Sequence, residues 1–333
     1  MIPPEDTGER PAEPSRPGTG PPASRTFSLE GRRAPALFVV GWLATIAGAA
    51  ILFISLQTGA GVGKLALFLL GLVLLSVGLI AAAGSQGIER RARGEARYAG
   101  PSPMLVFLAT IPTSFVALVL LGIPLELAGI DPDGPVVGVV ALLVNALVYV
   151  GLVRLLVVDT GALRWSEMGV RPLTRDGVVD FATGAAWALP IIFVTGIVAS
   201  ILVGLLGVVP DPVLPSTDDP VGIGLNLVTA GILAPVGEEI FFRAFATTAW
   251  VVTLGATRGI VRGAIVFAAV HVLTIDATNP GDGLSLALIG FLTRVPVGLA
   301  LGWLFVRRGS IWAPLGLHAT FNAVLVLADA TMT

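Results

Sequence analysis

The only two histidines of this 333-residue chain, His271 and His318, accompany its only Glu-Glu pair, Glu238 and Glu239. Three spacings of four residues frame them: Glu239 with Arg243, Phe267 with His271, and His318 with Asn322. On a helix, positions i and i+4 share a face. Glu239 and Arg243 can therefore neutralise each other, while Glu238, turned roughly 100° away, lacks that partner. His318 and Asn322 can address one point in space, and Phe267 can pack beside the His271 imidazole and fix its orientation. A carboxylate, two imidazoles and a carboxamide brought together from three helices suit peptide hydrolysis. That reaction needs a base to activate water, an acid for the leaving amine and donors for the oxyanion. The chain has no cysteine, which excludes a thiol nucleophile, disulfides and thiolate metal sites.

The elements that must position these groups are membrane helices. The chain is 55% hydrophobic and 13% charged, with mean hydropathy +0.90, against about 25% charged residues in a soluble domain. Apolar runs cover about 35–57, 62–83, 104–128, 135–158 and 179–208. A sixth starts near 221 and enters GILAPVGEEIFFR, with the apolar stretch 244–254 following it. Further runs cover 259–275, 284–306 and 310–331. Most reach the ~20 residues that cross ~30 Å of hydrocarbon, and a helix satisfies its own backbone there. The fold class expected is all-α, a polytopic transmembrane helix bundle of eight or nine spans. Glycine-bearing stretches such as 71–78 are expected to be packing surfaces. Residues 1–34, rich in Pro, Gly, Ser and charge, are expected to form a disordered cytoplasmic tail. No secretory signal is expected near Met1.

Charge orients the bundle. Arginine fills alternate loops: Arg32 and Arg33, Arg90 to Arg97, Arg154 to Arg175, Arg258 and Arg262, Arg307 and Arg308. The intervening loops carry Glu126, Asp131, Asp133, Asp211, Asp218, Asp219, Asp276 and Asp282, with Lys64 as their only base. Basic loops stay inside, so the N-terminus is expected in the cytoplasm. Trp165 and Trp312 are expected to anchor at the interface. Lys64 is the only lysine among 20 basic residues, a usage that hints at a GC-rich bacterial genome and hence a bacterial plasma membrane. The net charge of −2 gives no reason to expect nucleic acid as a partner. Charges inside spans cost about 2.5–3.5 kcal/mol each on insertion scales, so those present call for a reason. Arg294 interrupts the eighth run; a helix-end or interface charge that snorkels or pairs locally is expected, and the alternative is a side chain lining a substrate cleft.

Glu238-Glu239-x-x-x-Arg243, Phe267-x-x-x-His271 and His318-x-x-x-Asn322, in this order, resemble the three motifs of the CPBP family (CAAX protease and bacteriocin-processing), also called Abi or type II CAAX endopeptidases. The resemblance spans roughly residues 160–330, so the division expected is N-terminal transmembrane helices over 35–158 and a catalytic core over 159–333. It implies an intramembrane endopeptidase acting on a membrane-associated protein or peptide, with prenylated substrates among those the family takes. It implies Glu238 as the water-activating residue, His271 as its partner, and His318 and Asn322 as oxyanion stabilisers. Glu239 and Arg243 are implied to be structural, with Phe267 in support. Many members are described as metalloproteases. Here no cofactor is favoured; zinc is the alternative, with His271, His318 and Glu238 as its ligands, since no other histidine exists. Asn322 beside His318 points to oxyanion binding, because a carboxamide is a useful donor and an uncommon zinc ligand. The rival expectations are a transporter holding a buried polar network and a non-catalytic partner of the bacteriocin-immunity kind.

Overall fold

The computed structural model describes residues 29, 31–95, 97–131, 134–210, 217, 219–274 and 280–331. Nearly all of the Pro-rich tail, together with Asp133, Asp211, Asp218 and Asp276, lies outside the described residues. Among the described residues there is no strand, and nine helices are long and apolar enough to cross a membrane. They are α1 (Pro35–Gln57), α2 (Val62–Ala92), α3 (Pro103–Leu127), α4 (Pro135–Val158), α5 (Arg175–Leu206), α6 (Pro220–Leu254), α7 (Ala256–Leu273), α8 (Gly281–Arg308) and α9 (Trp312–Ala330). The chain is a multi-pass membrane protein, and its outer surface fits that solvent: Leu43, Ile46, Phe53, Leu189 and Phe193 all stand exposed.

The sixth run and the stretch after it form one helix. α6 has 35 residues and is interrupted by two π-helical segments, Thr229–Leu233 and Glu239–Thr247. At ~1.5 Å per residue an uninterrupted helix of this length would span about 52 Å, well beyond the hydrocarbon thickness. α6 ends at Gly255, whose φ of 86° suits glycine and lets the chain turn straight into α7. The start of α6 is capped by Asp219, which accepts from the Gly222 N–H at 2.8 Å.

Small residues set the helix spacing, as lipid offers no hydrophobic drive to pack helices. Gly41, Gly48, Gly71 and Gly78 form the α1–α2 seam, where an added Cβ at Gly48 would lie 2.5 Å from the Leu75 nitrogen. The expectation for 71–78 therefore holds. Gly184 and Gly316 bring α5 and α9 together. Gly298 faces Ala264, and Gly302 faces Ile260, along α7 and α8.

The core gathers around α6. Phe241, Phe242, Phe245, Phe107, Tyr149 and Phe267 form its aromatic centre, with Met168, Leu301 and Leu317 fully buried beside it. Gly237 abuts Ala146, so α4, assigned from sequence to the N-terminal helices, packs directly on the segment that carries the Glu-Glu pair.

The arginine-bearing loops gather on one face. The Arg33 N–H donates to Glu89 at 2.7 Å, and Gly100 approaches Ala162. The Ile311 N–H donates to the Gly169 carbonyl at 3.0 Å, and Arg308 pairs with Asp180 at 2.5 Å. The Trp312 indole N–H donates to the Arg171 carbonyl at 3.1 Å and ties the start of α9 to the α4–α5 loop.

Candidate active site

Glu238 is the last residue before the second π-helical segment of α6. π-Bulges widen a helix by one residue and recur at functional sites. Here the extra residue is accommodated by side chains: Thr247 donates its hydroxyl to the Phe242 carbonyl, five positions back, at 2.8 Å. The first π segment is tied in the same way. Asn322 on α9 donates from Nδ2 to the Ala230 carbonyl at 2.8 Å.

Glu239 and Arg243 are buried, with 0% and 2% of their side chains exposed, and lie 3.2 Å apart. The pairing expected from their spacing is present. Glu239 also does something the spacing did not reveal. Its Oε1 accepts from Nδ1 of His318 at 2.8 Å. The Arg243 guanidinium lies 4.1 Å from the centre of the Phe267 ring, a cation–π contact that offsets part of its burial.

His271 terminates the α-helical part of α7 and opens a single 3₁₀ turn, His271–Thr274. Its Nδ1 lies 2.6 Å from the Phe267 carbonyl, and the two rings are 4.5 Å apart between centres. Phe267 thus fixes His271 with both its ring and its backbone. The same ring sits 5.9 Å from His318, so one phenylalanine braces both imidazoles and Arg243.

These contacts assign the tautomers. A carbonyl and a carboxylate both accept, so each Nδ1 carries its proton outward and each Nε2 turns a lone pair inward. The two Nε2 atoms face one oxygen, Glu238 Oε2, at 3.6 Å from His271 and 3.9 Å from His318. That oxygen is buried and accepts no hydrogen bond from any described residue. Both distances exceed a direct hydrogen bond and suit groups that share a small polar molecule.

Glu238, His271, His318, Glu239, Arg243 and Phe267 therefore come together. His318 and Asn322 do not meet on a single atom: His318 addresses the two glutamates, and one Asn322 N–H is engaged by Ala230. Arg294 stands mid-way along α8, away from any helix end, half-buried. Its Nη1 donates to the Gly290 carbonyl at 3.0 Å, and its charge acts on Glu238. Tyr149 was missed in the sequence. Its ring lies 5.0 Å from that of Phe241 between centres, and it interacts electrostatically with Glu238. Asn145 and Tyr149 share the same four-residue spacing as the three motif pairs, which was the signal available.

Among the described residues, no group of three or more His, Cys, Asp or Glu is assembled to hold a metal ion. The donor types and their anchored Nδ1 atoms suit zinc. The separations of 3.6 and 3.9 Å exceed the ~3.3 Å between ligands in a tetrahedron of ~2.0 Å bonds.

Residues 220–324, which contain every motif position, match the family model described as type II CAAX prenyl endopeptidase Rce1-like. No curated protein and no solved structure matches the chain.

Proposed function

We propose, on the match of residues 220–324 to the type II CAAX prenyl endopeptidase Rce1-like model, that this chain is an intramembrane endopeptidase in which Glu238 activates the water that hydrolyses a peptide bond. The observation that carries this proposal is the buried Glu238 Oε2, without a hydrogen-bond donor among the described residues and faced by two inward-turned Nε2 atoms.

A water at their meeting point can donate one hydrogen bond to Glu238 and another to His271, leaving an oxygen lone pair for the substrate carbonyl carbon. Glu238 takes the proton as the carbon–oxygen bond forms. His271, held by Phe267, orients the water and relays the proton taken by Glu238 to the leaving amine as the carbon–nitrogen bond breaks, which returns Glu238 to its carboxylate form. His318 stabilises the oxyanion with a proton that its Nε2 takes from solvent before the substrate enters, and Glu239, neutralised by Arg243, supports that imidazolium from the far side. The second Asn322 N–H is the further donor available. Protein groups fixed in this way cost no reorganisation when the reaction occurs.

Zinc is the second possibility, favoured by one observation: both Nδ1 atoms are anchored, one by a carboxylate, as in metal-bound histidines. His271, His318 and Glu238 would hold it, and it would supply Lewis acidity and a more acidic water. The wide ligand spacing and the need for Glu238 as base favour the metal-free mechanism.

The substrate class proposed is a membrane-associated protein or peptide, prenylated ones included. We place the arginine-rich face and the N-terminus in the cytoplasm of a bacterial plasma membrane, with 159–333 as the catalytic core and 35–158 as its support. A transporter often shows inverted repeats with paired broken helices, and the sequence holds no second copy of the Glu-Glu segment. The test is terminal proteomics of membranes from cells carrying the wild-type chain or Glu238→Ala. New C-terminal or juxtamembrane ends should appear only with the wild type; identical sets of ends would refute the proposal.

A further inference from the structure

The mechanism above leaves one intramembrane charge unused. Arg294 lies in the interior of α8, half-buried. Among the described residues, no carboxylate stands within ion-pair distance of it. A charge at that depth is costly and marks function unless it is paired.

The packing of α8 on α7 fixes its height. An added Cβ at Gly298 would lie 2.9 Å from Ala264 Cα, and one at Gly302 would lie 3.2 Å from the Ile260 side chain. The helices run antiparallel with contacts repeating every four residues. The next step places Arg294 opposite Ala268, and the one after places Gly290 beside the turn that His271 opens. Arg294 bends toward that level, because its Nη1 reaches the Gly290 carbonyl at 3.0 Å. Its charge acts on Glu238 without touching it. The guanidinium is therefore held at the height of the reacting groups, set back from Glu238 and fixed by one of its five N–H bonds.

We propose that Arg294 is a carboxylate-recognition subsite that holds the free C-terminal carboxylate of the peptide whose bond Glu238 addresses. This rests on the peptidase reading. A planar guanidinium meets a carboxylate with two parallel hydrogen bonds, so the arriving substrate supplies the direct ion pair that Arg294 does not make with any described residue. Hydrolysis is thereby confined to bonds near a chain end, because an internal segment brings no terminal charge. A lipid phosphate offers the same anionic chemistry, and the experiment separates the two.

The full-length chain carrying Glu238→Gln, which keeps the peptide intact, is reconstituted in phosphatidylcholine nanodiscs. It is titrated with a fluorescent S-farnesylated peptide ending in a free carboxylate and with its C-terminal amide. The acid is expected to bind about tenfold or more tightly than the amide, the span of one charged hydrogen bond. Adding Arg294→Gln should erase that ratio and Arg294→Lys should keep part of it, with Tm unchanged in both. Equal affinities, no binding of either peptide, or a ratio that survives Arg294→Gln overturns the proposal. So does an Arg294→Gln chain that loses only co-purifying phosphatidylglycerol, since that assigns Arg294 to lipid. An acid preference dependent on Arg294, in a wild-type chain that hydrolyses neither peptide, upholds the subsite and refutes the peptidase reading instead.

Discussion

Glu239 accepts from His318 and pairs with Arg243 through one buried oxygen. Only the second contact was legible in the sequence, because four-residue spacing reports neighbours on one helix and His318 lies 79 positions away. Asn322 is similar: the carbonyl it caps is offered by a π-helical turn, which no residue pattern announces. Phe267 was legible as a ring beside His271; its contacts with Arg243 and His318 were not. Glu239→Gln weakens the anchor of His318 and strands Arg243, so it should lower stability by about 3–5 kcal/mol, the cost of breaking a fully buried pair. Thermal unfolding in detergent measures this, and Glu239→Gln with Arg243→Gln should recover part of the loss. A single variant as stable as wild type would show that the pair is not under strain of burial. Metal removal probes the same atoms: activity should survive exhaustive chelation, with less than about one zinc per purified chain. Activity abolished by chelator and restored by stoichiometric zinc would make His271, His318 and Glu238 ligands.

α6 brings the pieces together because it is continuous. In the sequence it read as a span followed by a loose apolar stretch, since a π-helical segment breaks the 3.6-residue period on which helix recognition depends. Its neighbours are held at short range by glycine, and that was legible for 71–78. α7 carries His271 and α8 carries Arg294, and Gly298 against Ala264 sets their separation. Gly298→Val should force the two helices apart and destabilise the protein by about 1–3 kcal/mol, the usual cost of overpacking. Gly224 has open space around its Cβ position, so Gly224→Ala should leave the midpoint of unfolding unchanged or raise it slightly. Equal effects at the two sites would mean that the α7–α8 seam does not constrain the bundle.

The whole chain follows from two sequence signals, apolar run length and alternation of arginine. Nine spans among the described residues agree with the first, and the clustering of the arginine-bearing loops on one face agrees with the second. Hydrocarbon imposes both rules on every span, so they survive local irregularity; the site depends on a few contacts between distant segments and is less legible. The chain contains no native cysteine, so single-cysteine labelling is clean. Glu95→Cys should react with an impermeant reagent only after the cells are opened, and Glu126→Cys should react in intact cells. The reverse pattern would invert the proposed orientation.

Glu238 as the base that activates water is the claim on which the remaining roles depend. The most direct measurement is turnover by the purified full chain in nanodiscs, wild type against Glu238→Gln, on a peptide that the wild type cleaves. Gln keeps the shape and removes the proton acceptor. Turnover should fall by about 10²-fold or more, the contribution of a positioned base, with an unchanged melting temperature. A Glu238→Gln chain that turns over within a few-fold of wild type would contradict that role.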